Sequence, residues 1–571
     1  MSKYLWKIGG EAGFGIMTTG HTLSKIICRR GYHVYDWAQY PSLIRGGHNT
    51  YDVVFSDETV TGLKWLIDCL VCLNKETFDL HKSRLSSESL VVYDKDDFDF
   101  DGNHIKINIP INKILKDLNG EMIMRNTIAL GASLALMGGD LIEFNDMIKT
   151  QFGRKGEKVV ESNLRFALEG FTFVKKNYAD KIKPLLECKE CDKKLVLSGN
   201  EAFSLGSIIA DCRLYAAYPM TPATSVQTVL SSWQKKTGII SRHAEDEIAV
   251  INTAIGSAFA GARSSVGTSG GGFALMVEAI SFAGAAEIPL VIFLSQRPGP
   301  ATGIPTWTEQ GDLLFAVHAG HGEFQKIVLS PGDVEEMVEL TLEAYNLADV
   351  YQLPVIIMSD MLLSEAHQCL KENRMDEMIK TYSVNKGKTI DTVSQGKYLR
   401  YKDTEDGISP KLIPGTKDSY YLANSYEHDE LGRSTEDSNV RIKQVNKRAR
   451  KISTYLKNDF ALPKIYGDIN TSEIVFVSWG SPKGAILEVI KEMKKKDINS
   501  ALIHFTHIYP LAKEEIKKLF VSGKRYILVE NNSEAQFGKL LLAETGIEIK
   551  EKILKYDGRP FWPEEILEKL T

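Results

Sequence analysis

The chain has 571 residues, of which 25% are charged, and a formal net charge of -5. That length exceeds what one hydrophobic core usually supports, so roughly two to four domains are expected. The charge balance argues against nucleic acid as a partner, and no apolar run is long enough for a membrane span or a signal-peptide core, so a cytoplasmic protein is expected.

The first segment, residues 1–190, opens with a predicted strand from Tyr4 to Ile8, the turn Gly9-Gly10-Glu11-Ala12-Gly13-Phe14-Gly15-Ile16, and a helical stretch. Gly13 and Gly15 would let backbone approach a pyrophosphate at a helix N-terminus, and Asp36 stands near the distance at which an acidic residue meets a ribose. Against that reading, the chain then runs into Pro41-Ser42-Leu43-Ile44-Arg45-Gly46-Gly47-His48. A tight strand-to-helix turn is the plainer alternative. The run Trp65 to Leu73 reads as a buried strand whose alternation sends Cys69 and Cys72 to opposite faces as core thiols. Seven cysteines, an odd count without an export signal, favour free thiols. Cys188 and Cys191 lie in a charged linker better suited to zinc or redox chemistry, but without a second pair nearby no metal site is assigned.

Around residues 186–200 the pattern breaks and then restarts at Leu195. Residues 191–375 alternate short apolar strands (Leu214 to Ala217, Ile239 to Ala244, Ser264 to Thr268, Leu290 to Leu294, Val355 to Met358) with helices. That rhythm implies a mostly parallel sheet covered on both faces. Residues 376–465 are polar and punctuated by glycine and proline, as expected of a functional excursion or interface. The basic run Arg441 to Lys451 reads as a solvated helix face. Residues 466–571 return to alternation, with strands at Glu473 to Trp479, Ser500 to Phe505 and Arg525 to Glu530, and helices at Lys483 to Lys495, Lys513 to Leu519 and Ala535 to Glu544. They form a compact α/β domain.

Four features fall at predicted strand ends, where ligands bind in open parallel sheets. In Tyr218-Pro219-Met220-Thr221-Pro222-Ala223-Thr224 two prolines bracket Thr221, and each fixes its own φ near about -65° and extends the residue before it. Glu247 opens a helix with one broad apolar face and small residues at Gly256, Ser257 and Gly261. Gly270-Gly271-Gly272 follows the third strand and Arg297-Pro298-Gly299-Pro300 the fourth. The fold would therefore gather an acid, a cation and hydroxyls into one pocket. Helix capping is the plain alternative for Glu245, Asp246, Glu247 and Thr221, and Thr306 has the alternative of an ordinary loop threonine.

Tyr218 to Thr224, Glu247 with its helix, Ser269 to Gly272 and Gln296 to Thr306 resemble the α subunit of 2-oxoacid:ferredoxin oxidoreductases. The first segment, with Gly9 to Gly15 and Arg45-Gly46-Gly47, resembles a γ subunit fused at the N-terminus, and Tyr466 onward resembles a transketolase C-terminal-like domain. The fold class implied is α/β in three domains: a γ-type domain, a doubly wound parallel sheet of the pyrimidine-binding thiamine diphosphate type, and the transketolase C-terminal-like domain. The resemblance also implies an activity, the oxidative decarboxylation of a 2-oxoacid (2-oxoglutarate or a broad range) to an acyl-CoA and CO2, with electrons passed to ferredoxin.

In such enzymes this chain supplies the pyrimidine side of a thiamine diphosphate site, and a separate β subunit supplies Mg2+, the diphosphate half and a 4Fe-4S cluster. The sequence contains neither a Gly-Asp-Gly motif nor a cysteine quartet spaced for a cluster. An αβ heterodimer or its dimer is expected, with coenzyme A as co-substrate. By the same resemblance Glu247 is catalytic, Thr221, Arg297 and Thr306 bind the oxoacid, and Tyr218, Pro219, Gly270 and Gly271 line the cofactor. Arg45, His428 and Asp429 are further candidates near the site. Two other readings stay open: a non-catalytic α/β binding or regulatory subunit, and a dinucleotide-dependent reductase using Gly9 to Gly15.

Overall fold

The computed structural model describes residues 3–42, 46–393 and 398–570, and the chain divides into two compact units. One comprises Met1–Leu197, Glu365–Glu377 and Trp562–Thr571, the other Ser198–Ser364 and Met378–Phe561.

The first unit is built on an eight-stranded sheet in the order Ile105–Asn108, Leu85–Tyr93, Ile67–Cys72, Tyr4–Glu11, His48–Ser56, His33–Gln39, His367–Lys371, Lys194–Ser198. Tyr4–Glu11 runs parallel to Ile67–Cys72 but antiparallel to His48–Ser56, which pairs antiparallel with His33–Gln39. A dinucleotide fold needs its second strand parallel to the first and beside it. Here the second strand lies two places away, so the reductase reading of Gly9 to Gly15 is overturned. Asp36 argues the same way. It is fully buried, and its carboxylate accepts hydrogen bonds from Ser24, Tyr51 and His367. Cys69 and Cys72 are core thiols, as their strand predicts. Two helices of this unit, Met124–Leu136 and Glu157–Asn177, cross closely because glycines stand at the contact. A Cβ on Gly131 would lie 2.0 Å from the Ala167 carbonyl oxygen, and one on Gly170 would lie 2.0 Å from that of Ile128.

The two compact units are not divided at 190 or 375. Lys194–Ser198 is a strand of the first unit's sheet, and His367–Lys371 pairs there antiparallel to His33–Gln39, with Gln368 opposite Tyr35. Trp562 sits edge-on to Trp37 and Trp65, at centroid distances of 6.0 and 5.1 Å, while Arg84 stacks over Trp65 and Trp562. Pairing between residues hundreds apart leaves no mark on local periodicity.

The second unit holds a seven-stranded sheet in the order His507–Tyr509, Ile327–Leu329, Pro354–Asp360, Leu290–Gln296, Ser264–Thr268, Leu214–Ala217, Ile240–His243. All its pairings are parallel except the first. From Leu214–Ala217 the chain goes first to the neighbour on one side and then returns to the neighbour on the other, so the strand order reverses between Leu214–Ala217 and Ser264–Thr268. That reversal opens a crevice at the carboxyl ends of the strands. A second sheet of five strands, running Lys464–Tyr466, Ser500–Phe505, Ile474–Trp479, Arg525–Glu530, Glu551–Leu554, is parallel apart from its first pair.

The basic run differs from expectation. It lies on the helix Ser438–Asn458, yet Lys447, Arg448 and Lys451 are buried. Lys447 and Lys451 both pair with buried Glu287, and Arg448 pairs with Glu427, so distant carboxylates draw these cations inward. Among the described residues no helix is long and apolar enough to cross a membrane.

Candidate active site

The site is assembled at the crevice, wholly within the second unit. The loop after Leu214–Ala217 is gripped from below by Asn200, a buried residue in the helix Gly199–Ile209, whose Ser198 and Glu201 form a reciprocal capping box. Asn200 Nδ2 donates to the Pro222 carbonyl at 2.8 Å and to Ser225 Oγ at 2.6 Å. Thr221 does not cap the following helix. That helix, Thr224–Thr237, starts after Ala223 with no side-chain cap, and the Thr221 carbonyl accepts from Arg297 Nη1 at 2.8 Å. The geometry thus joins Thr221 and Arg297 directly. Tyr218 and Pro219 are exposed at the lip, with the Tyr218 ring 6.0 Å from that of His243.

Capping at the next helix falls to Asp246 alone, whose Oδ1 accepts from the Ala249 amide at 2.8 Å. Glu245 is exposed. Glu247 is only 3% exposed, and its Oε1 is buried without a hydrogen-bond partner among the described residues. It abuts the start of the helix Gly270–Ala285, where a Cβ on Gly272 would lie 2.5 Å from Glu247 Oε1 and 2.2 Å from Thr268 Oγ1. Glycine is therefore required there by contact. Ser269, at the N-cap, makes no capping bond, and its hydroxyl is also buried and unpartnered. Gly271 faces open space, with nothing within 4 Å of where its Cβ would stand.

Two carboxyls that sequence reasoning passed over stand here as well. Asp312 lies against Gly270, where a Cβ would be 2.5 Å from its Oδ2, and that oxygen has no hydrogen-bond partner among the described residues. Burial pushes the Asp312 carboxyl up to about 6, with Arg297 pulling the other way. Burial, with Asp312 adding to it, pushes Glu309 up to about 7. Gln296 links this group to the sheet: its Oε1 accepts from the Asp312 amide at 3.0 Å and its Nε2 donates to the Ser359 carbonyl at 3.0 Å. Asp312 carried no sequence signal, because its burial depends on the whole crevice. The Thr306 hydroxyl is buried and unpartnered too.

The lesser candidates fare differently. Asp429 is used up in a turn, accepting from the amides of Leu431 and Arg433 and from the Arg433 guanidinium. His428 is buried against Tyr401 at a centroid distance of 3.9 Å, with Nδ1 on the Tyr426 carbonyl. Both make contacts within their own loop, and His428 Nε2 is buried without a hydrogen-bond partner among the described residues. Arg45 lies outside the described residues. In the first unit Gly15, Thr18, Thr19 and Thr22 line a cavity of about 580 Å³ together with Lys155 and Lys158.

A buried acid without a partner, an arginine fork and an open helix start at the switch point of a parallel sheet mark a cofactor-dependent enzyme. Comparison with known proteins gives the class. Residues 206–447 match the family described as pyruvate flavodoxin/ferredoxin oxidoreductase, thiamine diphosphate-binding, and residues 5–173 match the one described as pyruvate ferredoxin/flavodoxin oxidoreductase. The α subunit of 2-oxoacid:ferredoxin oxidoreductase from Sulfolobus sp is 31% identical over 99% of this chain and 96% of its own. Subunit KorA of 2-oxoglutarate synthase from Methanothermobacter marburgensis is 29% identical over 66% of this chain and 97% of its own. The structure of 2-oxoglutarate:ferredoxin oxidoreductase from Magnetococcus marinus, solved with 2-oxoglutarate, coenzyme A and succinyl-CoA bound, superposes with a TM-score of 0.92 at 30% identity, covering 100% of this chain and 99% of that one. The chain belongs to the 2-oxoacid:ferredoxin oxidoreductases, as an α subunit. The non-catalytic reading gives way to an oxidoreductase that works with a partner subunit.

Proposed function

We propose that this chain holds the aminopyrimidine side of thiamine diphosphate and positions a 2-oxoacid, 2-oxoglutarate or a broader set, for oxidative decarboxylation to an acyl-CoA. The buried Glu247 carboxyl with an unpartnered Oε1 carries this reading. The residues fit such a cofactor: an orphaned acid, the orphaned Ser269 hydroxyl and the open space at Gly271 are what a planar heterocycle with ring nitrogens would fill. When bound, thiamine diphosphate supplies the nucleophilic carbon and the electron sink that loss of CO2 requires.

This chain's own residues do the rest. Glu247 would offer its buried Oε1 as hydrogen-bond partner to a pyrimidine ring nitrogen, and Gly272 makes the room for it. Tyr218, Pro219, Gly270 and Gly271 border the ring. Arg297 presents a fork of donors to the substrate carboxylate, with the hydroxyls of Thr221 and Thr306 orienting the oxoacid. A β subunit completes the site with Mg2+, the diphosphate contacts and a 4Fe-4S cluster that passes electrons to ferredoxin, in an αβ or (αβ)2 assembly. Its landing place is marked by apolar side chains left exposed next to the site: Tyr218, Ile248 and Leu275. Seven free thiols fit a cytoplasmic setting.

The test is Glu247→Gln in the complex with its β subunit. Turnover is expected to fall by roughly 10²- to 10⁴-fold with the complex still assembled. Near-normal turnover would remove Glu247 from the mechanism.

A further inference from the structure

Of the seven cysteines, Cys28 and Cys369 stand apart from the rest. They lie in different stretches of the first unit's chain, on the helix Ile16–Arg29 and the strand His367–Lys371, yet their sulfurs are 3.3 Å apart, with the Cys369 thiol donating to Cys28 Sγ. Both ends are held. The Val34 amide donates to Cys369 Sγ at 3.3 Å, and Cys28 Sγ lies 3.9 Å from the Lys194 carbonyl oxygen. A second contact fixes the alignment of helix on strand. His21, two turns before Cys28, packs against His367, two residues before Cys369, with ring centroids 4.2 Å apart and the rings tilted by 36°. Helix and strand are therefore pinned at two points. A disulfide would close that sulfur gap from 3.3 Å to roughly 2.05 Å.

The two thiols are unequal. The hydrogen bond from Cys369 holds the Cys28 thiol below its ordinary value, with help from Lys194 and Arg29 and against burial. Cys369 is pushed up by the same hydrogen bond and by burial. By contrast, burial raises Cys69, Cys72 and Cys212, and none of these has its sulfur on another.

We infer that Cys28 and Cys369 are a reversible redox pair, oxidised by hydrogen peroxide to a disulfide that covalently closes the first unit. Cys28 thiolate attacks the peroxide oxygen, the O–O bond breaks, hydroxide leaves and Cys28 becomes a sulfenic acid. Cys369 then attacks that sulfur, giving up its proton, so that the S–S bond forms and water leaves. In total two thiols and one peroxide give one disulfide and two waters. A dithiol reductant reverses the step by two exchanges. Cys28 is the attacking residue and Cys369 the resolving one. The bond would tie the strand contributed by residues 365–377 to the N-terminal stretch.

The experiment uses the full chain, reduced and then treated with near-stoichiometric hydrogen peroxide, digested without reductant and read by mass spectrometry. The expected product is the Cys28 peptide joined to the Cys369 peptide, two hydrogens lighter than the pair and released by dithiothreitol. In Cys369→Ser, Cys28 should stop as a sulfenic acid that dimedone traps. Recovery of both cysteines as free thiols would overturn the proposal, as would their pairing with Cys188 or Cys191. So would a Cys28 that stays unreactive to dimedone in Cys369→Ser.

Discussion

At a helix start, a carboxylate that caps is not free to face a ligand, and of Asp246 and Glu247 only the first caps. Asp246 takes the free amide of Ala249, which leaves Glu247 Oε1 buried and unused. Arg297 has a comparable double duty, with one guanidinium nitrogen on the Thr221 carbonyl and the rest of its fork available. Replacing it with alanine should raise KM for the oxoacid by roughly 10- to 100-fold, as expected for loss of a charge-assisted hydrogen bond worth about 1.5–3 kcal/mol. An unchanged KM would show that the carboxylate is held elsewhere.

The same crevice predicts a pH effect. Asp312 and Glu309 titrate at about 6 and about 7, so both become anions as pH rises through neutrality. Asp312, which already draws on Arg297, would then compete with the substrate carboxylate for it, and KM should rise several-fold between about pH 6 and 8. Asp312→Asn should flatten that rise, and a pH profile identical to wild type would exclude Asp312 as its source. Stability follows the same sign. Both groups are raised above their unfolded values, so their contribution is complete below about pH 4 and is lost as pH climbs through 7.

Among the elements, the helix Ser438–Asn458 shows how charge can be drawn inward. Glu287 is fully buried; burial alone would raise its pKa, but Lys447, Lys451 and Arg400 outweigh that and hold it well below the carboxylate range. Glu287→Gln should cost about 3–5 kcal/mol, the usual result of leaving a buried cation unpaired. The readout is the denaturant midpoint, and an unchanged midpoint would mean that the lysines are already neutral.

That cluster also marks where reading the sequence stops. The strands Leu214–Ala217, Ser264–Thr268, Ser500–Phe505 and Arg525–Glu530 stand where the short apolar runs between helical stretches place them. So do Thr221, Glu247, Gly270 and Arg297, each just past a strand end. The inward turn of Lys447 escaped because its partner is 160 residues away. Ile327–Leu329 escaped because three residues carry no period. Asp312 escaped because its desolvation is made by the crevice around it.

At the scale of the whole molecule, the second unit carries, on the reading proposed above, half a site, and apolar side chains stand exposed beside it. Purification of this chain from its source cell should bring a second, smaller subunit containing iron and thiamine diphosphate, whereas the chain made alone should hold neither tightly. Recovery of an active chain with no partner would contradict the division proposed above.

The first unit draws one of its eight strands from Glu365–Glu377 and its tryptophan cover from the last ten residues. A ribosome that has released only the first 200 residues therefore exposes a sheet still missing a rib; that gap closes once Glu365–Glu377 has emerged, and the tryptophan cover arrives only when synthesis is nearly over. The part of the chain made first is the part that finishes folding last, and a gene fragment ending near residue 197 would encode an open edge rather than a domain.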